Sequence, residues 1–164
     1  MYLTSIVLHT VTGVACFFGA VMIAARLRDH GRQHPWWWVY LLSLVFLVIY
    51  MITAITAHWR ALSPIERIAY PALAVLGWYM LLRGWQGFME WYVPHEGWQL
   101  RLASHLGFNL ISLFDGFVIV AAIDLHAPVW AVVVLALLGV LAGSWAVGRL
   151  KAPYLPGKPA GSTT

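Results

Sequence analysis

Residues 106–123 read LGFNLISLFDGFVIVAAI, an apolar run close to the length of a bilayer crossing, with the acid Asp115 near its middle. About 20 predominantly apolar residues are needed for a helix to cross the hydrocarbon core. A carboxylate at that depth costs roughly 2.5 to 3.5 kcal/mol on insertion scales, so something must offset it, and Asp115 becomes the first candidate functional residue.

The rest of the chain has the same character. Of 164 residues 62% are hydrophobic and only 10% charged, and the mean hydropathy is +0.77. Such values exceed what a soluble core needs and predict an all-α, polytopic transmembrane helical bundle. Besides 106–123, the runs 3–25, 36–57 and 129–148 approach spanning length. The fifth run, 68–82, is short and contains Pro71, and it spans only if its helix continues through Arg83 towards Trp91 with the arginine stem reaching to the interface. Five spans are therefore expected, at about 3–25, 36–58, 68–90, 104–124 and 129–149, forming a single domain over residues 1–151.

Charge placement orients this bundle. Arg26, Arg28 and Arg32 follow the first span, Arg83 and Arg101 flank the third connection, and Arg149, Lys151 and Lys158 follow the last. Only Arg60 and Arg67 fall on the other side. By the positive-inside rule the N-terminus is outside and the C-terminus cytoplasmic. The net charge of +4 is thus accounted for by topology, and nucleic-acid binding gains no support from it. The first run lacks a basic leader and passes straight into an arginine cluster, so it reads as a retained anchor. Cys16, the one cysteine, has no internal disulfide partner. Residues 84–103 read as an aromatic-rich connection in the headgroup layer, and 152–164 as a short disordered cytoplasmic tail.

At 100° per residue, Ser5, His9, Thr12, Cys16 and Gly19 share one face of the first span, with Gly13 and Ala20 beside it. On the fourth, His105, Asn109, Ser112 and Gly116 form a stripe with Asp115 at its edge. Tyr79, Arg83, Gln86 and Glu90 share a side of the third, and Gly139 and Gly143 give the fifth a GxxxG spacing suited to close helix packing.

Seven histidines raise the question of a cofactor. The topology puts His9, His58 and His126 in the outer layer and His30, His34, His95 and His105 in the inner one. A b-type haem takes two axial ligands from facing helices at one depth, so His9 with His58, or His34 with His105, are the natural pairs. The competing reading is interfacial solvation for His30, His34, His95 and His126, and helix-to-helix hydrogen bonding for His9 and His105. No HExxH, CxxC, phosphate loop or nucleophile elbow is present, which excludes the conventional hydrolytic and nucleotide-using classes by motif. The ten tryptophans sit mostly near expected span ends and read as a belt of interfacial anchors. Asp115 has two readings: a neutral acid bonded to Thr12, Tyr50, Thr53 or Tyr79, or a group that pairs with Arg83 or exchanges a proton.

The elements His9-x-x-x-Gly13, His34 before the second span, Tyr79-x-x-x-Arg83-Gly84 and His105 opening the fourth resemble a group of bacterial integral membrane proteins of unknown function. The resemblance runs through Ala122. It implies a compact helical bundle and marks His9, His34, Arg83 and His105, with no reaction attached. The His-x-x-x-Gly element is also similar to one in dihaem transmembrane cytochromes b, which would imply haem b.

Three functions follow as expectations. The first is a small accessory or assembly subunit of a larger complex in the bacterial inner membrane, without its own catalytic centre and with other integral membrane subunits and the lipid bilayer as partners. The second is a haem b electron carrier using His9, His58, His34 or His105. The third is a proton-linked transporter or channel built on Asp115, His9 and His105, in a chain whose candidate intramembrane polar residues are Asp115, Arg83, Asn109 and Ser112.

Overall fold

In a computed structural model that describes residues 2–27 and 35–155, the chain forms five long α-helices and no strand among the described residues: α1 (Tyr2–Ala25), α2 (Pro35–His58), α3 (Glu66–Tyr92), α4 (Trp98–Asp124) and α5 (Val129–Lys151). Single 3₁₀ turns follow α2 at Trp59–Ala61 and α5 at Ala152–Tyr154. The segments Val7–Ala25, Pro35–Ala61, Trp98–Ala122 and Val129–Tyr154 are long and apolar enough to cross a membrane. Helix α3 has the length, 27 residues or about 40 Å, but it carries Glu66, Arg67, Arg83 and Glu90.

Local chemistry explains where the helices begin and end. Pro35 opens α2 at a position whose N–H would have no intrahelical partner. The start of α3 is a capping box: the Ser63 backbone N–H donates to Glu66 Oε2 at 2.7 Å, and the Glu66 N–H donates to Ser63 Oγ at 3.4 Å. Pro64 follows the cap directly, and the Arg67 N–H already bonds the Ser63 carbonyl at 3.0 Å. Ser63, through its side chain first and its backbone N–H second, holds the Glu66 carboxyl below the usual carboxylate range. Pro71 lies inside the helix without ending it.

Helix α3 therefore continues through Arg83, and the connection expected over 84–103 contracts to residues 93–97. There Gly97 adopts φ 72°, Pro94 cannot extend the helix, and Arg101 closes the turn by bonding the Glu96 carbonyl at 2.9 Å and Glu90 Oε1 at 2.8 Å. The α4–α5 turn ends α4 with His126 at φ 55°, while the Ala127 N–H bonds the Ala122 carbonyl at 2.9 Å. That is a Schellman closure with histidine where glycine is usual. Residues Ala152–Tyr154, expected to belong to a disordered tail, continue α5 as a short turn; 156–164 lie outside the described residues.

The chain divides into two compact units, Met1–Trp85 and Gln86–Thr164. In the first, α1 and α2 pack as an antiparallel pair. The α1 face expected from spacing is the one used: Ser5, Cys16, Gly19, Ala20 and Ile23 are buried, facing Trp37, Tyr40, Leu44, Leu47 and Val48 of α2. A Cβ on Gly19 would stand 3.1 Å from the Tyr40 backbone, so only glycine permits this approach. On α3, Gly77 meets Val48 and Met51 of α2. Trp37 and Trp98 are core residues, 1% and 8% exposed, and Trp37 packs edge-on against Tyr40 at 5.9 Å.

In the second unit α4 and α5 are antiparallel. Gly107 faces Val147, Ile111 faces Gly143, and Asp115 faces Gly139. Both rows advance by four residues, which is ridge-into-groove packing along the i±4 rows. Gly139 is the buried residue of α5, whose remaining surface is mostly exposed and apolar.

Candidate functional site: Asp115 in the α4–α5 seam

The α4–α5 register brings Asp115 directly onto α5. Its side chain is 8% exposed, and a Cβ added to Gly139 would overlap Asp115 Oδ1. That oxygen is buried and accepts no hydrogen bond among the described residues. Unpaired buried polar atoms cost about 1–3 kcal/mol, so the seam tolerates this acid at an expense that helix packing alone does not require. Phe114, which also meets Gly139, is beside it with half of its surface exposed.

The polar stripe of α4 is real but separate. Asn109 is fully buried and Ser112 buried, with His105 half-buried. Asp115 stands about 90° around the helix from the centre of that stripe at 100° per residue. The acid expected at the stripe's edge thus belongs to the α5 seam. Of the hydroxyls expected as its partners, Thr12 donates to the Leu8 and His9 carbonyls at 2.8 and 2.9 Å, and Thr53 to the Ile49 carbonyl at 2.8 Å, each within its own helix. Arg83, half-buried on α3, belongs to the other compact unit.

No family model, curated protein or solved structure matches the chain. The functional reading therefore stands on geometry alone.

Of the histidines, His9 has a defined setting: its Nδ1 lies 3.1 Å from the Leu47 carbonyl of α2. A carbonyl accepts only, so Nδ1 carries the proton and Nε2 is left as the basic nitrogen. His58 ends α2 beside a shallow, open depression lined by Thr56, Trp59 and Arg60. Gly13 on Leu47 and Gly19 on Tyr40 set the α1–α2 register, which puts His58 roughly seven residues, or about 11 Å, beyond the level of His9. The pair His9 and His58 is not brought to one depth. His34 and His30 lie outside the described residues, so the pairing of His34 with His105 is not described either. Among the described residues no group of three or more His, Cys, Asp or Glu side chains is placed to hold a metal ion.

Sequence reasoning missed two partners. One is the Leu47 carbonyl, which nothing in a residue's type reveals. The other is Gly139, whose GxxxG spacing signalled close packing without saying that an acid would fill the space it leaves.

Proposed function

We propose that the chain is a multi-pass protein of the bacterial inner membrane, with five spans, its N-terminus outside and its C-terminus cytoplasmic, acting as an accessory or assembly subunit of a larger membrane complex. The observation that carries the reading is the outer face of α3. Trp78, Tyr79, Leu82 and Trp85 are 62%, 47%, 51% and 55% exposed, and Trp78 lies near the middle of the helix Glu66–Tyr92. Lipid-facing tryptophan belongs at the ends of a span, where the indole N–H meets the headgroups. The outward faces of α1 and α2 follow that rule. On α1 they are Val7, Val11, Val14 and Phe18; on α2, Trp38 stands at the start, followed by Leu42, Val45 and Ile49. An indole at mid-helix suits a protein neighbour that supplies an acceptor and covers the ring.

The test is gentle detergent extraction of the full chain from its native membrane, with mass spectrometry of what co-purifies and an absorption spectrum of the same sample. Stoichiometric integral membrane partners, lost on Trp78→Ala, are expected. A chain that purifies alone and monomeric overturns the reading.

His9 favours a second reading, a haem b electron carrier. A ring oriented by a carbonyl through Nδ1, with Nε2 directed elsewhere, is the arrangement of a ligating histidine. Such a haem would need its other axial ligand from outside the α1–α2 pair. A colourless, iron-free preparation ends this reading.

A further inference from the structure

We propose that Asp115 is a proton-binding site of the α4–α5 seam, seated on Gly139 and holding its proton in the resting protein. The proposal is independent of whether the chain is an accessory subunit, since it concerns a site inside one compact unit.

Geometry carries the argument. Asp115 Oδ1 is buried, unbonded and set against the bare backbone of Gly139. Along the α5 face that packs on α4, the residues opposite are Gly139, Gly143 and Val147, and none is titratable. The cations of α5, Arg149 and Lys151, lie ten or more residues further on, about 15 Å away. Arg149 is engaged over the Trp145 ring at 4.8 Å. On α4 itself His105 is equally distant, and Arg101 is paired with Glu90 at the opposite side of the α3–α4 turn. Among the described residues of the unit no counter-charge stabilises a carboxylate here, whereas a neutral carboxylic acid fits without one.

A bulkier residue at 139 would have excluded the acid, so the glycine makes room for it. Loss of the proton would place an uncompensated charge between two helices in close contact, and the seam would part to admit water or a cation. Proton occupancy and α4–α5 packing are therefore coupled.

A protonated intramembrane acid reacts with a hydrophobic carbodiimide. The carboxyl proton passes to one carbodiimide nitrogen as the carboxyl oxygen bonds the central carbon, and the acyl group then migrates to nitrogen. Nothing leaves and no electrons are transferred. Phe114, beside the Asp115 seat on Gly139, is half exposed on the apolar surface.

The experiment uses the full chain in phosphatidylcholine vesicles, with two readouts. Infrared difference spectra at neutral pH should show a protonated-carboxyl carbonyl band that disappears in Asp115→Asn. Labelling with dicyclohexylcarbodiimide should put one adduct on Asp115, with a yield that falls as pH is raised. A band absent from the unsubstituted protein, or unchanged in Asp115→Asn, overturns the proposal. So does an adduct on Asp115 whose yield is the same at every pH, or no adduct at any pH. The spectrum of the unsubstituted protein is decisive even where the variant fails to fold.

Discussion

The two antiparallel helix pairs solve the same packing problem in opposite ways. In α1–α2, the seam closes large aromatic and aliphatic side chains over glycine and cysteine, and its intramembrane histidine is bonded to the Leu47 carbonyl. In α4–α5, the seam closes over three glycine contacts, and its acid is left with an unbonded oxygen. Both pairs exploit small residues for close approach. In the second, the buried oxygen of Asp115 accepts no hydrogen bond among the described residues. A buried polar group that goes unbonded calls for an explanation, and for Asp115 the one we propose is proton binding in the α4–α5 seam.

The largest expected effect attacks the glycine seat. Gly139→Val places side-chain atoms where Asp115 Oδ1 lies, and overpacking of this kind costs about 1–3 kcal/mol. Thermal melts in detergent should show the loss, and Asp115→Ala in the same chain should recover most of it. Additive effects of the two substitutions would break the contrast, because coupling is expected only of residues in contact.

The next pair of substitutions should move stability in opposite directions. Asp115→Ala removes an unsatisfied buried group and should raise stability by about 1 kcal/mol, while His9→Leu takes the donor from the Leu47 carbonyl and should lower it by about 1 kcal/mol. Parallel denaturation curves decide the matter. If both substitutions destabilise, the two seams are alike and the distinction drawn between them fails.

Much of the fold is legible in residue spacing, because a helix turns by a fixed angle and burial follows that angle. The α1 face of Ser5, His9, Cys16 and Gly19 needs nothing else. The extension of α3 through Arg83 was visible as a condition on its length. The true start of that helix was also written in the chain, as Ser63-Pro64-Ile65-Glu66, but hydropathy hides it because its signal is polar. The site is less legible. Asp115 and Gly139 are each conspicuous, yet their meeting depends on the register between two helices, set by Gly107 on Val147 and Ile111 on Gly143. Nothing within either helix encodes that register alone.

The turns repeat the contrast on a smaller scale. His126 sits in the left-handed region at φ 55°, a conformation costing an L-residue roughly 1 kcal/mol. His126→Gly should raise the stability of the second unit by about that amount. An unchanged melt would show that the α4–α5 turn stores no such strain.

The α2–α3 turn, by comparison, is closed by reciprocal bonds between Ser63 and Glu66, and its last feature is a pH signature. Ser63 and Glu66 cap α3 reciprocally, and loss of such a cap costs about 1 kcal/mol. Because these bonds hold the Glu66 carboxyl below its usual range, the unfolded chain takes up a proton at a higher pH than the folded one does. The cap's contribution is then complete above the unfolded carboxylate range and is lost as pH falls through the lower, folded value. Glu66→Gln removes the titrating group, so the two proteins should differ most at neutral pH and converge in acid. Ser63→Ala should reduce the same difference by removing the side-chain bonds while leaving the backbone N–H bond to Glu66 Oε2 in place. A gap between native chain and Glu66→Gln that persists unchanged into acid would mean that the carboxylate contributes nothing to the cap. The well-bonded character assigned to this turn would then rest on the Ser63 hydroxyl alone.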